Sequence, residues 1–124
     1  MNQADKTSTV AELKALMRRF RDERDWEQFH DPKNLAEAIS VEAAELLELF
    51  LWKEKVEIGR LLSKDAAYRL AVEEELADTV MTCLSFANAA DIDVADAIMA
   101  KVKKAAKKYP VAKARGKATK YDRL

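Results

Sequence analysis

The stretch from residue 34 to residue 52, NLAEAISVEAAELLELFLW, restricts the possible folds more than any other part of the chain. It contains no Gly or Pro. Its apolar residues recur every three or four positions, the spacing of one helix face, as shown by Leu35, Ile39, Leu46 and Leu49. Asn34 is a suitable N-cap residue, and Glu37 stands at the third helical position, as in a capping box. The stretch therefore predicts a helix over residues 35–52.

Two carboxylates interrupt the apolar side of this helix. Glu42 lies between Ile39 and Leu46, and Glu45 adjoins the same face. Removing an ionised carboxylate from water costs several kcal/mol unless the group is paired or binds a metal. Two carboxylates three residues apart also repel each other. A divalent cation would relieve both penalties.

A second acidic pair, Glu75 and Asp78, occurs in residues 66–90 and again follows an apolar period of Leu76, Val80, Leu84 and Ala87. One such pair is usually a solvated helix face, but two pairs in register with apolar faces favour a cage of four carboxylates. Oxygen ligands suit Mg²⁺ or Mn²⁺ better than zinc. A ferritin-like di-iron centre needs two Glu-x-x-His motifs, whereas this chain has one His. We therefore predict that these metal ligands form the catalytic centre: Glu42, Glu45, Glu75 and Asp78.

The rest of the sequence is also typical of an all-α protein. Only two Gly and two Pro occur in 124 residues, which favours long helices over a turn-rich β fold. Periodicity predicts a four-helix bundle with helices at about residues 9–25, 35–52, 66–90 and 94–109. The candidate N-caps are Thr9 for the first helix, Ser63 or Asp65 for the third, and Asp93 for the fourth. We expect a single domain over residues 1–124, with loosely ordered ends at 1–8 and 111–124. Residues 53–64 are predicted to be a linker that can contain a short helical turn around residues 57–62.

Aromatic residues lie on both sides of the acidic helix. Trp26 precedes it and Trp52 ends it, while His30 stands just before Pro32 in the first connection. The tryptophans could simply close the end of the core, and His30 could anchor a loop. Alternatively, the rings offer flat apolar faces on which a nucleotide base can stack. We predict base binding at Trp26, Trp52 and His30.

The C-terminal part of the chain is basic. Residues 101–120 contain nine Lys or Arg and no acid, although the formal net charge of the whole chain is zero. Lys101, Lys104 and Lys108 are spaced to share one helix face. Such a face is often only solvated, but it could also hold a polyphosphate or contact nucleic acid. We predict that these three lysines bind phosphate.

The remaining features concern the location of the protein. Cys83 is the single cysteine, so an intramolecular disulfide is excluded, and we expect this residue to pack in the core. The N-terminal residues do not follow a signal-peptide pattern. The longest uncharged run, residues 79–90, is too short to span a bilayer. We expect a cytoplasmic protein without a membrane partner.

Four motifs in order resemble a known family: ERDWEQFHDPKNL, EAAELLELFLW, EEELAD and KYPVAKARGKATKY. With these motifs the chain resembles the MazG-like all-α nucleoside triphosphate pyrophosphohydrolases, and within them the dCTP pyrophosphatase branch. The resemblance covers nearly the whole chain. It implies that the metal ligands are the four acids named above and that Trp26 and Trp52 flank the base.

The resemblance also implies an activity and an assembly. We expect Mg²⁺-dependent hydrolysis of a nucleoside triphosphate, with dCTP or a modified dCTP favoured, to the monophosphate and pyrophosphate. We expect a homo-oligomer, and a tetramer in particular. The alternative function is a non-catalytic helical module that binds nucleic acid or nucleotides through its basic C-terminal segment. We expect nucleic acid not to be a partner.

Overall fold

The protein is described by a computed structural model that covers residues 3–124. In this range the chain forms seven α-helices: α1 (Ala4–Thr7), α2 (Val10–Asp22), α3 (Pro32–Glu48), α4 (Lys55–Lys64), α5 (Ala66–Ala90), α6 (Val94–Lys108) and α7 (Val111–Ala114). Short 3₁₀ helices span Glu27–Phe29 and Tyr121–Arg123. The chain divides into two compact units, one ending at Asp91 and the other comprising Ile92–Leu124. The predicted all-α class is confirmed.

Three of the long helices begin at the predicted capping residues. The Thr9 hydroxyl accepts a hydrogen bond from the Glu12 backbone N–H at 3.1 Å, and the Thr9 N–H donates to the Glu12 carboxylate at 2.8 Å. Asp65 caps α5, and Asp93 caps α6. Each cap satisfies a backbone donor that has no partner inside its helix, which fixes where the helix begins.

Helix α3 begins earlier than predicted, and Asn34 is not its N-cap. The Asp31 carboxylate accepts the N–H of Asn34 at 2.9 Å, and Pro32 occupies the first helical position. Proline suits this position because its missing N–H would have no helical partner there. The Asn34 amide instead donates to the Asp31 carboxylate at 2.7 Å and to the Phe29 carbonyl at 3.3 Å. These bonds tie the preceding connection to the start of α3.

The predicted linker over residues 53–64 is wrong for most of its length, because α4 spans Lys55–Lys64 and extends beyond the short turn expected around residues 57–62. Ile58, Leu61 and Leu62 form its half-buried side, while Val56 is exposed. Gly59 lowers helix propensity in the middle of this segment. Packing of α4 against α5 compensates for that weakness, since short helices depend on tertiary contacts.

Helix α5 is the centre of the first unit, and it packs against α2, α3 and α4. The buried core of the described residues consists of Leu35, Leu84 and Ala87. The Asn88 amide fixes α2 against α5, since it donates to the Lys14 carbonyl at 2.9 Å and accepts from the Arg18 guanidinium at 2.7 Å. At the other end of α5, the Tyr68 hydroxyl donates to the Leu49 carbonyl at 2.7 Å. These contacts hold α5 in register with α2 and with the end of α3.

Much of the apolar surface of the first unit is exposed. An apolar cleft of about 350 Å³ runs between α2 and α5, lined by Leu13, Leu16, Met17, Phe20, Ala77, Val80, Met81 and Leu84. Leu76 is 51% exposed and Val80 is 46% exposed. Cys83 is also exposed, so the prediction that it packs in the core is wrong. Val80 and Cys83 of α5 are therefore both exposed, whereas Met81 and Thr82 between them are half-buried.

The second unit contains α6, α7 and the last 3₁₀ turn. The rings of Tyr109 and Tyr121 meet edge to face at 6.0 Å, and the Lys108 ammonium lies 4.6 Å from the Tyr121 ring centroid. The segment 111–124, predicted to be loosely ordered, therefore contains helical turns and an aromatic contact. In the predicted loose end at 1–8, α1 is a single helical turn, while Met1 and Asn2 lie outside the described residues. None of the described helices has both the length and the apolar character needed to cross a bilayer.

Candidate metal centre and adjoining pocket

The packing of α3 on α5 brings the two predicted acidic pairs together. Glu42, Glu75 and Asp78 each offer one carboxylate oxygen, and these oxygens all lie within 4.8 Å of one another. All three side chains are half-buried, whereas Glu45, one turn along α3, is exposed. The structure therefore forms an acidic cluster of Glu42, Glu75 and Asp78, with Glu45 at its solvent side.

The cluster lacks the partners that buried carboxylates need. Oε2 of Glu42 and Oε2 of Glu75 are buried, and neither has a hydrogen-bond partner in the described part of the chain. The ion pairs found among residues 3–124 involve other acids. An unsatisfied buried oxygen carries its full desolvation penalty, and native proteins rarely leave such groups without a role. A set of oxygen ligands with unpaired charge fits a hard divalent cation such as Mg²⁺.

The pKa shifts in the acidic cluster also favour a bound cation. Burial raises the pKa of the Glu42 carboxyl, and the neighbouring Glu45 and Asp78 raise it further. Burial also raises the pKa of Glu75, again with contributions from Glu45 and Asp78. Both shifts express the cost of holding negative charges close together away from water. A bound cation would reverse that cost.

A pocket of about 230 Å³ adjoins the cluster and shares Glu42 and Asp78 with it. Helices α2, α3 and α5 and the first connection supply its walls: Met17, Phe20, Trp26, His30, Leu35, Ala38, Glu42, Asp78, Met81, Thr82 and Ser85. One end of the pocket is therefore acidic, and most of the remaining wall is apolar or aromatic. Ligand sites commonly combine such a wall with a few placed polar groups.

Trp26 and His30, two of the predicted base-binding residues, line this pocket. The Trp26 ring packs edge to face on Phe20 at 5.8 Å and lies 6.4 Å from the His30 ring. The Arg24 guanidinium covers the Phe20 ring at 3.7 Å. Burial lowers the pKa of His30, with a smaller contribution from Arg21. A neutral imidazole with one donor and one acceptor nitrogen is thus favoured at the pocket wall.

Trp52 does not line the pocket of the single chain. It lies in the turn after α3, it is 92% exposed, and its backbone adopts a left-handed conformation with φ 62°. That conformation is unfavourable for a bulky residue. It directs the ring away from the packed face of α3, and base binding at Trp52 stays a prediction.

The three lysines predicted to bind phosphate, Lys101, Lys104 and Lys108, lie on α6 in the second unit and are all exposed. The cation of Lys108 is in contact with the Tyr121 ring, so it already has an interaction. Their role in phosphate binding also stays a prediction.

Sequence reasoning missed several residues of the pocket, above all Thr82 and Ser85. Both follow Asp78 on α5, at four and seven positions, so they lie on the same helix side as the acid. Extending the face of Glu75 and Asp78 by two helical turns would have identified them. The Phe20 and Met81 side chains gave no comparable signal, because apolar residues on a helix usually belong to the core.

The chain is similar in sequence and in structure to known proteins. The model of the MazG-like family matches residues 38–124, which is more than half of the chain. Over 116 residues the chain is 38% identical to dCTP pyrophosphatase 1 of Mus musculus, and the alignment covers 94% of this chain and 68% of the mouse protein. The Homo sapiens protein of the same name is 36% identical with the same coverage. A solved structure of a pyrophosphatase from Archaeoglobus fulgidus DSM 4304 is 40% identical with a TM-score of 0.75, covering 82% of this chain and 92% of that one.

Proposed function

The chain belongs to the MazG-like family and is a nucleoside triphosphate pyrophosphohydrolase, and we propose that its substrate is dCTP or a dCTP modified on the base. The products are then the nucleoside monophosphate and pyrophosphate. The similarity to dCTP pyrophosphatase 1 from mouse and man supports this substrate class. The family match excludes the alternative of a non-catalytic binding module.

The acidic cluster at one end of the pocket is the observation on which the proposed metal-dependent hydrolysis rests. The unpartnered Oε2 atoms of Glu42 and Glu75 favour a divalent cation. In our proposal Mg²⁺, or Mn²⁺ in its place, is held by Glu42, Glu45, Glu75 and Asp78. When bound, the cation supplies positive charge near the phosphates and lowers the pKa of water.

The protein's own side chains orient the substrate. The triphosphate lies at the acidic end of the pocket, where a carboxylate of the cluster accepts the proton of the attacking water. Attack at the α-phosphorus breaks its bond to the bridging oxygen, and pyrophosphate leaves. Lys101, Lys104 and Lys108 are proposed to hold phosphate oxygens through charge-assisted hydrogen bonds.

The base lies at the other end of the pocket. Trp26 and His30 already form part of that wall, and a base can stack on such rings. Trp52 is proposed as a further base contact, for which its exposed ring is available. The apolar wall between the two ends excludes water from the sugar and the base.

The active protein is a homo-oligomer, and a tetramer in particular, since large apolar residues of α2 and α5 are exposed in the single chain. It acts in the cytoplasm, where it removes surplus or modified nucleotides from the pool. Nucleic acid is not a substrate or partner in this proposal.

The test is pyrophosphate release from dCTP with Mg²⁺ and with excess EDTA. We expect activity only with the divalent cation, and a loss of about 100-fold or more in Glu75→Gln and Asp78→Asn, as for removal of a group that stabilises the transition state. Glu73→Gln is a matched control, because Glu73 is exposed on the same helix and pairs with Arg69. Full activity in EDTA, or in both cluster variants, would contradict the metal centre.

A further inference from the structure

Ser85 is the one polar residue classed as buried among residues 3–124, with 7% of its surface exposed. It nevertheless lines the pocket. The hydroxyls of Thr79 and Thr82, on the same helix, donate to the carbonyls of Glu75 at 2.9 Å and Asp78 at 2.8 Å. No corresponding hydrogen bond engages the Ser85 hydroxyl within the described residues. The enclosed oxygens without a partner in this part of the chain belong to Glu42 and Glu75, so the Ser85 hydroxyl opens onto the pocket that it lines. A ligand in the pocket can therefore form a hydrogen bond with it.

The position of Ser85 on α5 relates it to the acidic cluster. Ser85 follows Asp78 by seven residues, which is close to two helical turns, so both side chains lie on one side of the helix. The rise of the helix places them about 10 Å apart along its axis. Asp78 therefore stands at the acidic end of the pocket and Ser85 at the opposite end.

This separation matches the shape of a nucleotide. If the α-phosphate lies at the cluster, the sugar and base extend along α5 past Met81 and Thr82 towards Ser85. The ring atom opposite the glycosidic nitrogen of a pyrimidine then points farthest from the phosphates. In cytosine that atom carries the exocyclic amino group, and in uracil it carries a carbonyl oxygen.

On the basis of the proposed function, we propose that the Ser85 hydroxyl hydrogen-bonds the exocyclic substituent at position 4 of the pyrimidine base. A hydroxyl has one donor and two acceptor lone pairs and rotates to suit its partner. It therefore accepts from the amino group of cytosine and donates to the carbonyl of uracil. Ser85 selects bases that carry a polar group at this position, without separating cytosine from uracil.

The experiment compares Ser85→Ala with the wild type on three deoxynucleoside triphosphates: dCTP, dUTP and the 2-pyrimidinone analogue, which carries only hydrogen at position 4. We expect Ser85→Ala to lower kcat/KM for dCTP and dUTP by about 2- to 12-fold, the range for one neutral hydrogen bond. The loss should lie mainly in KM. The analogue should lose nothing, since it never makes the bond.

Ser40→Ala is the matched control, because Ser40 is exposed on α3 and does not line the pocket. If Ser85→Ala folds poorly, Ser85→Cys takes its place in the kcat/KM comparison. Cysteine keeps the size of the side chain but offers only a weak hydrogen-bond donor. An equal loss on all three substrates, or unchanged kcat/KM for dCTP and dUTP, would overturn the proposal for Ser85 while leaving the proposed function intact.

Direct binding of the non-hydrolysable α,β-imido analogues of dCTP and of the 2-pyrimidinone nucleotide separates the two proposals. Wild-type protein that binds the dCTP analogue without hydrolysing dCTP contradicts the proposed function. The difference in Kd between Ser85→Ala and wild type then still decides the role of Ser85. Wild-type protein that neither binds nor hydrolyses any of these nucleotides overturns both proposals.

Discussion

Without a nearby cation, the ionised carboxylate of Glu42 is energetically unfavourable in the folded protein. One of its oxygens is buried without a partner, and burial together with Glu45 raises its pKa. The folded protein therefore favours the protonated form of Glu42 more than the unfolded chain does. Stability from this group is present below its ordinary pKa of 4.5 and is lost as the pH rises through the raised value.

We predict that Glu42→Gln raises the melting temperature of the metal-free protein at neutral pH, because glutamine keeps the shape without the charge. The gain should shrink as the pH falls towards 4.5, where the wild-type carboxyl becomes protonated too. Saturating Mg²⁺ should reverse the order, since the wild type with all four carboxylates gains more binding free energy than the variant with three. Calorimetry in EDTA and in Mg²⁺ at both pH values measures all three effects.

Glu37→Gln is the control for this series, since Glu37 is exposed on α3 and pairs only weakly with Lys33 at 3.2 Å. It should change the melting temperature little in either buffer. A wild type that is more stable than Glu42→Gln in EDTA at neutral pH would mean that the Glu42 carboxylate is satisfied in solution without a cation.

The beginning of α3 determines how the first connection meets the acidic helix. The Asp31 carboxylate accepts the Asn34 N–H and also accepts from the Asn34 amide, which in turn reaches the Phe29 carbonyl. The connection that carries Trp26 and His30 is thereby fixed to the helix that carries Glu42. Asp31 makes these contacts because it stands at the N-cap position of α3.

We predict that Asp31→Ala lowers the free energy of unfolding by about 1 kcal/mol, the usual cost of removing an N-cap side chain. Glu54→Ala is the matched control, because Glu54 is the N-cap residue of α4 but its side chain makes no capping bond. Denaturant unfolding of both variants provides the comparison. Equal stability of Asp31→Ala and Glu54→Ala would show that the cap contributes nothing measurable.

The helices differ in how far the sequence predicts them. Thr9 and Asp93 were recognisable as caps, and Asp65 was one of two candidates with Ser63, because capping depends on residues only three positions apart. Helix α4 was missed, since Gly59 weakens its local propensity and its packing against α5 is not local information. The site shows the same difference between local and tertiary information. The acidic pairs can be predicted from periodicity, whereas the burial of Ser85 results only from packing.

Many large apolar residues of the first unit are exposed. Its buried core contains only three hydrophobic residues among those described. The cleft between α2 and α5 is walled entirely by apolar side chains. Contiguous exposed patches of this type mark interaction surfaces in soluble proteins. Only the fold shows that α2 and α5 combine part of this surface into one contiguous apolar cleft.

We predict that the protein forms a homo-oligomer, and that Val80→Lys reduces the oligomer's mass, because burying an unpaired charge in an apolar contact is costly. Light scattering should give a wild-type mass that is a multiple of 14.0 kDa. Val56→Lys is the control, since Val56 is 84% exposed on α4 and lies outside the cleft. A wild-type mass of 14.0 kDa at micromolar concentration would contradict the oligomer. A full-sized Val80→Lys oligomer would instead place the subunit contact on another surface.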